Sequence, residues 1–385
     1  MLSPRIPNSS YPSFSQFQVI LYKGWKGCIT NYIFCELIEL NFSRGNEMME
    51  NKEQHHTTLT SAEIASLWTS YQEDTLTICG ISYFLNHVDD AQIRGLLEQG
   101  LTSAEQRKEK EIQFFNKENY PLPQGFTDHD VNVEAPRLFS DKLHLEYLVN
   151  ITSMNLIVYG TALPLAERSD IITFYSENLT ETKKLYKQAK ELAKEKGVNI
   201  RAPHIPKPNQ VEFVQKESFL AGWFGERRPL LGMEISNLVS SARRNALGQA
   251  VITGFSQVAN TREVRQFFEK GRDISGKHLE VFSDILQENY LSSGAQLMTS
   301  EVTDSTVAPF SDRLMMNFIT TLIASGIGQY GYSLATSPRH DLAAQYAKLM
   351  TEIGKYSNDG ANILIENGWM EQPPMAADRK DLAKR

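Results

Sequence analysis

The side chains best able to do chemistry in this chain are carboxylates and histidines on helical segments. A di-metal centre inside a helical bundle takes a Glu from each of two helices and a Glu-x-x-His from each of the other two. The three-residue spacing matters because it brings both side chains onto one helix face, where they can reach the same ion. Only Glu53 to His56 has that spacing, and it lies in a polar stretch ahead of the first helix. The best remaining set is Glu73, Glu109, Glu146 and Glu177 or Glu181, one from each of four successive helices. Carboxylates without histidine could hold hard cations. A solvated glutamate is the commoner role for each, so no metal, catalytic or cofactor residue is assigned.

The histidines point the same way. His278 and Glu280, like His144 and Glu146, are two residues apart, and such pairs do not share a helical face. His340 follows Pro338 and Arg339 and is expected to pack or cap a helix start, while His55-His56 would hold metal only adventitiously. Cys79 sits among apolar residues with no basic neighbour within a turn, which predicts a buried, inert thiol. Gly326-Ile327-Gly328 resembles part of a dinucleotide loop but falls within a helical pattern, where close helix packing is the better reading.

Helices must position these groups. Apolar residues at Ile64, Leu67, Trp68, Tyr71, Leu76 and Ile78 predict helix A over about 61–87, with Ser61 as its cap. Asp89-Asp90 opens helix B, which ends at Glu118-Asn119-Tyr120 before Pro121 and Pro123. A turn-rich connection of nearly twenty residues follows, long by globular standards. Ser140-Asp141 opens helix C, Pro164 closes it, and helix D runs from about Arg168 to Lys196, stopped by Gly197. Two short turns around one long crossover describe a four-helix bundle.

The pattern is written twice. At a shift of 171 residues, Phe139/Phe310, Ser140/Ser311, Asp141/Asp312, Leu143/Leu314, Tyr159/Tyr330, Gly160/Gly331, Leu163/Leu334, Arg168/Arg339 and Asp170/Asp341 are identical. Glu63/Glu234 and Phe84/Phe255 extend the match upstream, one residue is lost inside helix B, and Glu288-Asn289-Tyr290 answers Glu118-Asn119-Tyr120. A period this long means a duplicated domain and not a solenoid. The expected organisation is an N-terminal extension over 1–57, a first bundle over 58–200, a linker over 201–230 stiffened by Pro203, Pro206 and Pro208, and a second bundle over 231–380. The carboxylate set does not survive the duplication. Arg244, Asn317 and Lys348 replace Glu73, Glu146 and Glu177, and only Glu181/Glu352 persists, reading with Lys184/Lys355 as a surface helix pair.

The formal charge of -7 argues against broad nucleic-acid binding, and Cys28, Cys35 and Cys79 cannot form a disulfide framework, which fits a reducing, cytoplasmic setting. The first 48 residues match nothing in the repeat. Their apolar run is broken by Lys23, Lys26, Asn31 and Glu36, so no secretory signal is expected. Translation starting at Met48 or Met49 is the preferred reading, and the intact mass of the native protein decides it.

Helix C has no charged residue from Tyr147 to Ala166 or from Leu314 to Pro338. Asn150, Asn155, Asn317 and Gln329 stud both segments, so burial inside protein is preferred to a membrane span. A helix uncharged on every face is covered on every face, by the other bundle's helix C or by a partner chain. Phe219 to Trp223-Phe224 in the linker is read as a lid over a bundle end.

Phe-Ser-Asp before helix C, Tyr-Gly within it, Arg-x-Asp opening helix D and Glu-Asn-Tyr closing helix B resemble a family of endospore-forming bacteria. It is built of tandem ferritin-like bundles, with members described as "putative spore coat proteins". The likeness covers about residues 58–380. It implies an all-α fold of two ferritin-like bundles and a non-enzymatic structural or interaction role linked to sporulation or the spore coat, with protein partners or self-association through helix C. Two alternatives stay open: a divergent di-metal oxidoreductase or metal-storage protein using iron or manganese, and a carrier of an apolar ligand.

Overall fold

The computed structural model describes residues 57–199, 201–222, 227–295 and 298–384, and among them all regular structure is helical. The first repeat holds α1 (Ser61–His87), α2 (Ala91–Lys117), α3 (Asp141–Ala162) and α4 (Ser169–Glu195). The second holds α5 (Gly232–Val258), α6 (Arg262–Glu288), α7 (Asp312–Ala335) and α8 (His340–Glu366), and a short α9 (Arg379–Leu382) follows. In each repeat the first two helices pack together as a hairpin, as do the last two. Glu53, His55-His56, the early cysteines, Met48-Met49 and Trp223-Phe224 lie outside the described residues.

Local chemistry sets the helix ends. Thr60, not Ser61, caps α1: its hydroxyl accepts from Glu63 N at 3.2 Å while the Glu63 carboxylate accepts from Thr60 N at 2.8 Å. Asp90 caps α2, and Ser140 and Ser311 cap α3 and α7. Gly197 and Gly368, with φ of 68° and 66°, end α4 and α8. The residue lost from helix B does not shorten it, since α2 and α6 both span 27 residues. The Glu-Asn-Tyr motif is therefore one step out of register with the helix end. Asn119 takes the left-handed position after α2 (φ 54°), whereas after α6 Tyr290 is forced into it (φ 57°).

The two repeats share one core. Residues Thr58–Arg385 form a single compact unit, and its largest apolar cluster runs from Leu76 and Phe84 of α1 through Leu143 and Tyr147 of α3 to Phe255 of α5 and Phe318 of α7. Smaller clusters fill the far end of each bundle, around Phe115 and Phe174 in one and Phe282 and Tyr346 in the other. The uncharged helices are covered over only part of their length. Leu143 to Asn155 of α3 and Leu314 to Ile319 of α7 are mostly buried, with Tyr147 and Phe318 in ring contact at 5.8 Å. Beyond them Ile157 and Leu165, and Ala324, Gly328 and Tyr332, are exposed. Asp141–Leu165 is long and apolar enough to cross a membrane by length and composition, with mean hydropathy 1.3, a test that a bundle's core helix also passes.

Candidate functional site: an inter-repeat clasp and two polar bundle centres

The long crossovers, which carry no helical pattern, join the repeats. Val131 bridges Phe310 and Phe139 bridges Val302, each as an isolated antiparallel pair. Subtracting 171 from 302 and 310 gives 131 and 139, so the two bridges are equivalent under the duplication. Ser311 N donates to Asp130 O at 2.9 Å and its hydroxyl to Asp130 Oδ1 at 2.7 Å. Ser140 N donates to Glu301 O at 2.9 Å and its hydroxyl to Glu301 Oε2 at 2.6 Å. Arg313 pairs with Asp130 as Lys142 does with Glu301. Each serine thus caps its own helix and fastens it to the other repeat's crossover.

The phenylalanines cross over in the same way. Phe310 meets Tyr83 of α1 edge-on at 5.2 Å, and Phe139 meets Phe255 of α5 at 6.1 Å. Phe139 also lies over Gly254, where a Cβ would come within 2.5 Å of its ring. Tyr83, matched to Gly254, uses its hydroxyl to hold the first crossover, donating to Pro136 O and accepting from Leu138 N, both at 2.8 Å.

The other duplicated residues are joints within a bundle. Asp141 accepts from Asp89 N and Asp90 N, and Asp312 from Asn260 N and Thr261 N, so one carboxylate secures the starts of two helices. Glu63 accepts from Glu167 N and Arg168 N, and Glu234 from Arg339 N. Three backbone hydrogen bonds, from Arg168, Thr60 and Glu167, with one from the Thr60 side chain, overcome burial and hold the Glu63 carboxyl below its usual range. Arg168 and Arg339 fork onto Asp170 and Asp341. In Tyr-Gly, the tyrosine is the packed member. Gly160 faces open space and is not a close-packing point, nor is Gly328.

The candidate carboxylates are dispersed and do not form one site. Glu109, Glu177 and Glu181 are exposed, and Glu177 pairs with Lys110. Glu146 is raised by burial, partly offset by Lys190 and Arg243. Glu73 lies on a cavity wall. Among the described residues no three His, Cys, Asp or Glu side chains form a metal-binding group.

The first bundle is centred instead on residues that membership of a helix did not single out. Asp74 and Arg107 are fully enclosed, with Arg107 Nε donating to both carboxylate oxygens at 2.9 and 3.0 Å. Burial outweighs the pairing at Asp74 and lifts its carboxyl, while Asp74 holds the buried guanidinium fully charged. Glu111, one turn on from Arg107, has its carboxyl raised well above the usual range by burial and then by Asp74. Tyr159 lies against the Arg107 guanidinium at 5.8 Å. Helical phase carried this signal: Asp74 falls in step with buried Leu67, Tyr71 and Ile81, and Glu111 with Ala104, Arg107 and Phe115.

The second bundle rebuilds its centre with other groups. Asn245 donates to Tyr330 Oη at 2.7 Å, His278 Nδ1 lies 3.1 Å from the same oxygen, and His278 Nε2 lies 3.3 Å from Glu352. Glu352 also takes Lys277 at 2.7 Å, so its partners are across the bundle and not Lys355, as the surface-pair reading expected. Burial lowers His278 and Glu352 partly offsets it. His144 is buried and stacked on Phe84, its pKa pushed down to about 3 by burial and then by Arg137. His340 is exposed and neither packs nor caps. Cys79 is buried with its thiol pushed up to about 12, the inert state its surroundings implied.

Two matched helical repeats, joined by reciprocal crossovers and differing at their polar centres, define an all-helical tandem-repeat protein. The chain belongs to the family described as "Protein of unknown function (DUF3231)", whose model matches twice, over residues 47–211 and 218–382. A solved structure described as "a putative spore coat protein" from Bacillus halodurans C-125 is similar at 18% identity, covering 39% of this chain and 98% of its own, with a TM-score of 0.36. No curated protein gives a significant match.

Proposed function

We propose that the protein is a non-enzymatic structural or interaction protein, linked to sporulation or the spore coat. In this reading its ferritin-like bundles serve as a rigid scaffold, with one long crossover in each as that fold class has. One observation carries it. Apart from Tyr159/Tyr330, the polar side chains identical in both repeats cap helices, join helices or join repeats, whereas the bundle centres were refilled: Asp74, Arg107 and Glu111 stand where Asn245, His278 and Phe282 do. A shared chemistry would have kept the centre. Contacts with other protein chains would use the exposed, uncharged ends of α3 and α7 around Ile157 and Tyr332. The sporulation link comes from the Phe-Ser-Asp and Arg-x-Asp resemblance. Mass spectrometry of fractionated spores tests it: recovery in the coat layer supports the reading, and confinement to the vegetative cytosol rejects it. Stoichiometric iron or manganese in untagged protein, lost on replacing Glu73 and Glu146, would favour the metal alternative.

A further inference from the structure

A cavity of about 330 Å³ lies at the junction of the repeats, between α1, α3, α7 and α8. Its walls are apolar and aromatic, including Trp68, Phe126, Met154, Phe318 and Leu364, and Trp369 to Pro373 lie along one side. That last segment is fastened by Glu371, which accepts from Gln72 Nε2 and from Gln124 N. The volume falls in the range of small-molecule sites, which pair apolar walls with few placed polar groups.

Three charged side chains line it, and two are engaged. Arg313 pairs with Asp130, donates to Gly125 O at 2.8 Å and covers Phe126, and Glu371 holds the strap. Glu73 is the third. It is half-buried on the cavity wall, and burial, with Asp74 next, pushes its pKa up to about 7. A carboxyl so placed gains most from a cation that brings its own apolar body into the site.

The duplication supplies an internal control. The residue matching Glu73 in the second repeat is Arg244, on the wall of a smaller cavity of about 90 Å³ inside the second bundle. Its guanidinium donates to Ser325 on α7, so this position carries its own cation. The matched position thus carries opposite charge in the two repeats.

We propose that the junction cavity binds a small organic cation, a primary amine on an aromatic or alkyl body, with the Glu73 carboxylate as its counter-ion. The aromatic walls suit such a ligand, since indole and phenyl faces attract ammonium groups. The reading is independent of the structural role proposed above.

Calorimetric titration of the full-length protein with 2-phenylethylamine, and with 2-phenylethanol and 3-phenylpropionate as neutral and anionic analogues, tests it. The amine should bind at least about tenfold more tightly than either analogue, the low end for a charged hydrogen bond. Glu73→Gln should remove that preference while leaving the circular dichroism and melting temperature near wild type. Glu371→Gln, which loosens the strap but keeps Glu73, should retain it. Amine affinity should also rise between pH 6 and 8 as Glu73 ionises. Its charged neighbours Asp74, Arg107, Arg313 and Glu371 are unchanged in Glu73→Gln, so the rise should vanish there. Equal binding of amine and alcohol, no amine binding, or an amine preference that survives Glu73→Gln overturns the proposal.

Discussion

Phe310→Ala separates a clasp from a mere contact, because Phe310 belongs to the second repeat but packs on the first. Its side chain is buried, meeting Tyr83 at 5.2 Å and Phe255 at 6.1 Å. Transfer of a phenylalanine from water contributes about 1.5–3 kcal/mol, and each ring pair adds about 0.5–1.5 kcal/mol. The sum agrees with the usual loss of about 3–5 kcal/mol for Phe→Ala in a core. Urea unfolding followed by far-ultraviolet circular dichroism should show that loss. Hydrogen exchange should show it in α1, which lies more than two hundred residues upstream in sequence, as well as in α7. A loss under about 1 kcal/mol, or full protection of α1 with weakened α7, would refute the reciprocal packing.

Other consequences follow from single features. Tyr290 is exposed in left-handed backbone after α6, so Tyr290→Gly should stabilise by about 1 kcal/mol in the same urea assay. Arg107→Met leaves the Asp74 charge buried and unpaired and should destabilise by about 3–5 kcal/mol, with Asp74→Leu/Arg107→Met recovering much of it. His144 titrates near 3 when folded against 6.5 in the ordinary case, so its neutral form contributes stability that is complete above pH 6.5 and lost as pH falls toward 3. His144→Met, the residue at its counterpart Met315, should flatten stability across that window when melting temperature is measured against pH.

Much of this fold was legible in the sequence because its helices announce their own ends. Asp90, Ser140, Pro164 and Gly197 act through atoms within four residues, and each stands where local chemistry requires it. The clasp was not legible. Ser140 and Ser311 read as caps, which they are, but their second bonds reach residues 161 and 181 positions away through segments without periodicity. The polar centre was missed for a different reason. Glu73 and Asp74 are adjacent, and only their phase against Leu67 and Tyr71 decides which enters the bundle and which faces the cavity. The covering of helix C was half right, since its expected neighbour, the other repeat, reaches only the first part of α3 and α7.

Differential scanning calorimetry of the intact chain bears most directly on the fusion of the repeats into one body. A core and crossovers shared by both repeats predict one transition over Thr58–Arg385, with a ratio of calorimetric to van't Hoff enthalpy of about one. Two resolved transitions, or a ratio of about two, would mean that the repeats melt as independent bundles and that the clasp does not couple them.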